Sequence, residues 1–119
     1  MISEKLKINV DNKKKIITFK SKNCGNFKFN FKERDLLLSL LGVPLTELEI
    51  DEFMPLSVDE KKKYFKFLLK KGLVESVATI HKKRKRGDEH LNIFWRLTDK
   101  GEKVARYILE YLTNEKISI

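Results

Sequence analysis

The sequence lacks the features that mark membrane-spanning and disulfide-stabilised proteins. Its only cysteine, Cys24, cannot form a disulfide within the chain, which favours a reducing compartment. The longest mostly apolar run, residues 36–41, is far shorter than the ~20 residues that a transmembrane helix needs. Residues 1–10 alternate charged and apolar side chains and contain no signal-peptide core. The chain of 119 residues, long enough for one hydrophobic core, is therefore expected to be a soluble cytoplasmic protein.

Patterns typical of enzymes and metal sites are also missing. Cys24, His81 and His90 have no acidic cluster beside them, and their spacing matches no known zinc motif. The glycines are isolated, so no glycine-rich phosphate-binding loop is present. Adjacent carboxylates such as Asp51 and Glu52 are better explained as helix surface than as a general acid and base. We expect no catalytic residues, no cofactor and no metal.

Positive charge is abundant and confined to one segment. The chain has 26 Lys and Arg against 17 Asp and Glu, a net charge of +9. Residues 60–86 hold eleven of the basic residues and two of the acidic ones, so this segment alone accounts for the whole excess. A localised basic patch is the electrostatic footprint expected for a polyanion partner.

The first thirty residues predict three short strands. They are residues 5–10, 15–19 and 26–31. Each is rich in β-branched residues or alternates polar with apolar ones, and turn residues separate them. Phe27, Phe29 and Phe31 fall on one face of the third strand, either as core or as a stacking face for single-stranded nucleic acid or RNA. The pattern leaves open whether these strands join the main core or pair with a second subunit.

Four helices are predicted from apolar stripes and capping residues. Their spans are 32–41, 47–53, 58–71 and 99–113. Thr46 with Glu49, and Ser57 with Glu60, have the spacing of capping boxes at the second and third helices. The second helix is acidic and is expected to bury Leu48 and Phe53, with Ile50 as a further candidate.

The third predicted helix separates apolar from basic side chains. Its expected core face consists of Val58, Phe65, Leu68, Leu69 and Leu73. On the opposite face lie Asp59, Lys63, Lys66, Phe67 and Lys70. An outward phenylalanine at position 67 either packs on another element or contacts a partner.

Residues 73–80 and 91–97 predict a β-hairpin with a strongly basic tip. The five residues 82–86 are all Lys or Arg, which folding does not require. Each such side chain that neutralises a phosphate would release a counterion. The alternatives are a solvated loop or a basic run that resembles a localisation signal. His81 and His90 flank the tip and are expected to face each other. Of the neighbours Phe94 and Trp95, which point to opposite sides of the strand, one should be core.

Two segments resemble the flanks of the wing in winged helix-turn-helix proteins of the small bacterial and archaeal transcription-regulator type. They are residues 68–75, LLKKGLVE, and residues 94–101, FWRLTDKG. The resemblance extends over residues 31–112. It implies an α+β fold, with a winged-helix domain at 31–113, an N-terminal β-strand extension at 1–30 and a tail at 114–119.

The resemblance also implies non-catalytic binding of double-stranded DNA in transcription regulation. The third helix would enter the major groove and the wing would contact the backbone or minor groove. Such regulators commonly form homodimers through terminal elements. The candidate DNA-binding residues are Lys62, Lys63, Lys66, Lys70, Lys82, Lys83, Arg84, Lys85 and Arg86.

Two carboxylates depart from the pattern of that family. Asp59 and Glu60 stand at the start of the third helix, where the family usually offers polar or basic side chains, and carboxylates repel phosphates. One alternative is therefore a protein-interaction module in a transcription or replication assembly, contacting its partner through the acidic second helix and Phe67. A third hypothesis is binding of RNA or single strands.

Overall fold

The structure is a computed structural model that describes residues 6–82 and 89–117, with side-chain surroundings for residues 6–78 and 93–114. The chain begins with β1 (Leu6–Asp11), β2 (Ile16–Ser21) and β3 (Gly25–Asn30). It continues through α1 (Phe31–Ser39), β4 (Leu45–Thr46), α2 (Glu47–Phe53), α3 (Val58–Lys70), β5 (Val74–Lys82), β6 (Glu89–Leu97) and α4 (Asp99–Ile117). The described chain is thus a mixed α+β protein, as predicted. Within the described ranges, no helix is both long and apolar enough to cross a membrane.

The strands form two small antiparallel sheets, ordered β1-β2-β3 and β4-β6-β5. In the second sheet the hairpin ladder runs from the pair Val74–Leu97 to the pair Lys82–Glu89, and His81 lies opposite His90 as expected. Strand β4, which pairs Leu45 with Trp95 on β6, was not predicted. Two residues are too few to produce an alternating pattern.

The N-terminal sheet packs onto the same core as the helices. Ile17, Phe19 and Phe29 are fully buried, and Phe27 is 6% exposed. The Phe19 ring lies 6.0 Å from that of Phe27 and 6.3 Å from that of Tyr107 on α4. The strands therefore join the main core, and a stacking face built from Phe27 and Phe29 is wrong because both rings are buried.

The capping boxes of α2 and α3 are confirmed. The Glu49 amide donates to Thr46 Oγ1 at 3.2 Å, and the Glu60 amide donates to Ser57 Oγ at 3.1 Å. A third box, not predicted, starts α1: the side chain of Asn30 caps it, so the helix begins at Phe31 rather than at residue 32. It ends at Ser39, two residues before the predicted end.

Several apolar side chains on α2 and α3 face solvent, contrary to the sequence-based expectation. Leu48 is 73% exposed and Phe53 69% exposed, and only Ile50 of α2 is fully buried. On α3, Val58 is 64% exposed and Leu69 44% exposed. The residues that α3 buries are Tyr64, Phe65 and Leu68. The buried stripe is therefore rotated away from the edge that carries Val58 and Leu69.

A hydrogen-bonded corner joins β6 to α4 and locks both against the end of α3. Thr98 Oγ1 donates to the carbonyl of Gly72 at 2.6 Å and accepts from the Gly101 amide at 3.0 Å. The Thr98 amide donates to the carbonyl of Leu73 at 3.0 Å. From this corner α4 continues to Ile117, four residues beyond its predicted end.

Candidate nucleic-acid interface

Four of the predicted lysines form one exposed row on α3. They are Lys62, Lys63, Lys66 and Lys70. The row points outward because Tyr64, Phe65 and Leu68 anchor the other side of the helix in the core. None of the four is in an ion pair with another described residue. The charges of Lys62, Lys66 and Lys70 are therefore available to a ligand.

Glu60, one of the two carboxylates at the start of α3 that would repel a phosphate, is engaged within the protein. Lys32 Nζ on α1 donates to Glu60 Oε2 at 2.6 Å, and the Ser57 amide donates to Glu60 Oε1 at 3.1 Å. The hydrogen bond from Lys32, followed by that from Ser57, lowers the pKa of Glu60 to about 2. Asp59 remains as the exposed carboxylate at the start of α3.

Lys61 and Lys63 each have an electrostatic role inside the protein. Lys61 Nζ is paired with Asp51 Oδ2 at 2.9 Å and so ties α3 to α2. The charge of Lys63 acts on the buried carboxyl of Glu33 on α1. Burial raises the pKa of Glu33, while its hydrogen bond with Asn30 and the charge of Lys63 oppose that shift. Lys63 is thus exposed and electrostatically coupled to α1.

Phe67, the outward aromatic of α3, packs within the protein. Its ring meets that of Phe29 on β3 edge-on, with the centroids 5.9 Å apart. The ammonium group of Lys71 lies 5.9 Å from the Phe67 ring centroid. Phe67 is therefore a packing residue of the α3–β3 contact and does not form an exposed partner surface.

The basic tip is described only up to its first residue. Lys82 ends β5 opposite Glu89, so the ladder carries the chain from the core to the start of the tip. Lys83, Arg84, Lys85 and Arg86 lie outside the described residues. Nine paired positions are separated by eight steps of ~3.3 Å, so the described ladder is about 26 Å long.

The sequence reasoning missed an apolar groove beside the lysine row. The groove has a volume of about 440 Å³, and Phe65 and Trp95 are among its lining residues. Their rings are stacked with centroids 4.1 Å apart, and Val58 and Leu69 also line it. The sequence does contain a signal for this groove. Val58 and Leu69 are eleven residues apart, which at 100° per residue puts them within about 20° of each other on the same side of the helix. Trp95 Nε1 is shielded from solvent and has no hydrogen-bond partner in the described part of the chain.

The other chemically distinctive side chains are dispersed. Cys24 is buried in the turn between β2 and β3, and the pair His81–His90 lies near the hairpin tip. Among the described residues, no group of three His, Cys, Asp or Glu is placed to hold a metal ion.

Comparisons with models of protein families, with curated proteins and with solved structures each found no match. The charge and geometry of the chain itself therefore have to support any functional proposal.

Proposed function

We propose that the chain binds double-stranded DNA as a winged-helix, non-catalytic transcription regulator. The observation that carries the proposal is the row Lys62, Lys63, Lys66 and Lys70, exposed on a helix whose other side is fixed in the core. The row covers ~12 Å of the helix axis, which is about the width of the major groove of B-DNA. A rigid helix with one cationic face fits between two phosphate backbones.

The elements that follow α3 support a wing. A long antiparallel hairpin follows the helix after a short turn, and its tip is the most basic stretch of the sequence. In this proposal α3 enters the major groove, and the tip contacts the backbone or minor groove. The tip residues concerned are Lys82, Lys83, Arg84, Lys85 and Arg86.

The salt dependence of binding tests the proposal. Each phosphate contact contributes about −0.9 to the slope of log affinity against log salt concentration. Replacing Lys66 and Lys70 with alanine should reduce that slope by about 1.8 and weaken binding about 30-fold at 0.15 M salt. Fluorescence anisotropy with a labelled duplex at several salt concentrations measures both quantities.

A matched control separates local contacts from net charge. Lys7 on β1 and Lys28 on β3 alternate with inward-facing side chains, so both lie on the sheet face opposite to the one that packs on the core, and K7A/K28A removes the same two charges. This variant should keep nearly the wild-type slope. Equal slopes and affinities for K66A/K70A and K7A/K28A would exclude α3 as the reading helix. Selection of bound sequences from random duplex DNA then determines whether recognition depends on sequence.

A second candidate function, docking of a protein partner, is favoured by the exposure of Leu48 and Phe53 on the acidic helix α2. Carboxylates surround both side chains, so a basic surface would complement them. Phe67 does not take part because it packs on Phe29. Binding of single strands or RNA through the N-terminal phenylalanines is not supported, since Phe27 and Phe29 are buried.

A further inference from the structure

Most of the exposed large apolar side chains among the described residues belong to one segment of the chain, and two of them line the same groove. Seven large hydrophobic residues are exposed, and five of them fall between residues 43 and 69. The five are Val43, Leu48, Phe53, Val58 and Leu69. Single exposed apolar residues are normal, whereas grouped ones mark contact surfaces. Val58 and Leu69 line the groove of α3, and Leu48 follows Glu47, which lines it too.

The two helices beside this groove carry opposite charges. Lys62 and Lys66 stand along α3 without a carboxylate partner among the described residues. Helix α2 contains four acids and no Lys or Arg. Of these acids, Asp51 is paired with Lys61, while Glu47 and Glu52 are in no ion pair with another described residue. A basic apolar groove and an acidic apolar helix therefore lie side by side.

We propose that this surface is the interface of a two-fold symmetric dimer of the chain. A two-fold interface uses the same patch on both copies, so a patch with one acidic and one basic half complements itself. Helix α2 of each copy would lie on the α3 groove of the other, with Glu47 and Glu52 facing Lys62 and Lys66. Leu48 of one copy would enter the groove of the other.

The overall charge of +9 does not prevent this contact. At physiological salt the Debye length is ~8 Å, so charges farther than that from the interface are largely screened from it. Charges that meet directly across it are screened much less. The contact is therefore governed by the local arrangement of α2 and α3.

The dimer does not depend on DNA binding, but it would compete with it. Lys62 and Lys66 belong to both surfaces, so a copy engaged in the dimer cannot offer them to phosphates. Self-association is measured without nucleic acid, and DNA binding is measured at nanomolar protein. Failure of one proposal is thereby distinguishable from failure of the other.

Charge reversal tests the arrangement. Sedimentation equilibrium of the full chain at 0.15 M salt should show the mass rising from 14.1 kDa towards twice that value with concentration. The variants E47K/E52K and K62E/K66E should each raise the dissociation constant about 100-fold or more, because like charges then meet in both halves. An equimolar mixture of the two should dimerise again, since each half of the mixed interface pairs opposite charges.

Controls fix the interpretation. The reversed residues are exposed, so far-UV circular dichroism should be unchanged, and K7E/K28E on the N-terminal sheet should dimerise like wild type. The uncharged change Leu48→Ser should also weaken the dimer. Wild-type chain that stays monomeric up to 0.5 mM would overturn the proposal. So would reversal variants that dimerise normally, or a mixture that stays monomeric.

Discussion

The close approach of α4 to the backbone of Leu73 makes Gly101→Ala the sharpest test of the fold. A Cβ at Gly101 would lie 1.8 Å from the carbonyl oxygen of Leu73 and 2.8 Å from its carbonyl carbon. Both atoms belong to the backbone, so no side-chain rotation can relieve the overlap. Either α4 or the start of β5 has to move.

The loss of folding free energy in Gly101→Ala follows from the hydrogen bonds that a shift of α4 or of Leu73 would break. The Leu73 carbonyl accepts from the Thr98 amide at 3.0 Å, and Thr98 Oγ1 donates to the neighbouring Gly72 carbonyl at 2.6 Å. Loss of these two bonds costs about 1 kcal/mol each. Overpacking adds about 1–3 kcal/mol, giving roughly 3–5 kcal/mol in total. Small domains have only ~5–15 kcal/mol of stability, so a loss of this size removes a large share of it.

Urea denaturation followed by far-UV circular dichroism measures this loss, and Trp95, the single tryptophan, supplies a second probe. Gly42→Ala is the matched control. Gly42 has a φ of +93°, but no atom lies within 4 Å of its added Cβ. Its cost should be confined to backbone strain, about 1–2 kcal/mol. If Gly101→Ala proved no more destabilising than Gly42→Ala, the close approach of α4 to Leu73 would be refuted.

Three side chains carry further expectations. Glu60→Gln keeps the capping acceptor but loses the ion pair with Lys32, so the variant should be less stable to urea than wild type. Because the pKa of Glu60 is lowered from 4.5 to about 2 in the folded protein, this difference should be complete above pH 4.5 and should vanish as the pH falls towards 2. Burial raises the pKa of Glu33, so its ionised form destabilises the folded protein, and the expected effect of replacing it is opposite to that for Glu60. Glu33→Gln still accepts a hydrogen bond from the Asn30 amide and should be at least as stable as wild type at pH 7. This advantage should shrink as the pH falls through the raised pKa, because wild-type Glu33 then becomes neutral. Cys24 is 6% exposed, so its thiol should react with a disulfide reagent far more slowly in native than in unfolded protein; equal rates would contradict its burial.

Local signals predicted most of the elements and the exposure of the α3 lysines. A capping box needs two residues three positions apart, so Thr46 and Ser57 fixed two helix starts correctly. His81 and His90 flank the basic run symmetrically in the sequence, and the ladder that starts at the pair Val74–Leu97 places them opposite each other. The periodicity placed Lys63, Lys66 and Lys70 on the outward face of this helix, and all three are exposed. That these lysines bind DNA stays a prediction.

The side chains that the sequence placed wrongly depend on contacts between distant segments. Helix α2 has seven residues, about two turns, so its pattern cannot determine which face is buried. Leu48 and Phe53 are hydrophobic enough for a core, but Ile50 alone points into it. Strand β4 exists because Leu45 meets Trp95, fifty positions further along the chain. No periodicity near Leu45 contains that information.

The exposed Leu48 links the two proposals in a measurable way. If the dimer covers Lys62 and Lys66, only the monomer binds DNA, and the apparent dissociation constant is the intrinsic one divided by the monomer fraction. Leu48→Ser removes no charge and leaves the lysine row intact, so it should bind DNA more tightly than wild type under conditions where wild type is mostly dimeric. At a wild-type monomer fraction of one tenth, the expected gain is about tenfold. At protein concentrations low enough to dissociate the dimer, the two proteins should bind alike. If Leu48→Ser still bound DNA more tightly than wild type at high dilution, Leu48 itself would contact or repel DNA. If the variant were monomeric but bound DNA no more tightly than wild type, the dimer interface and the DNA-binding surface would not share their lysines.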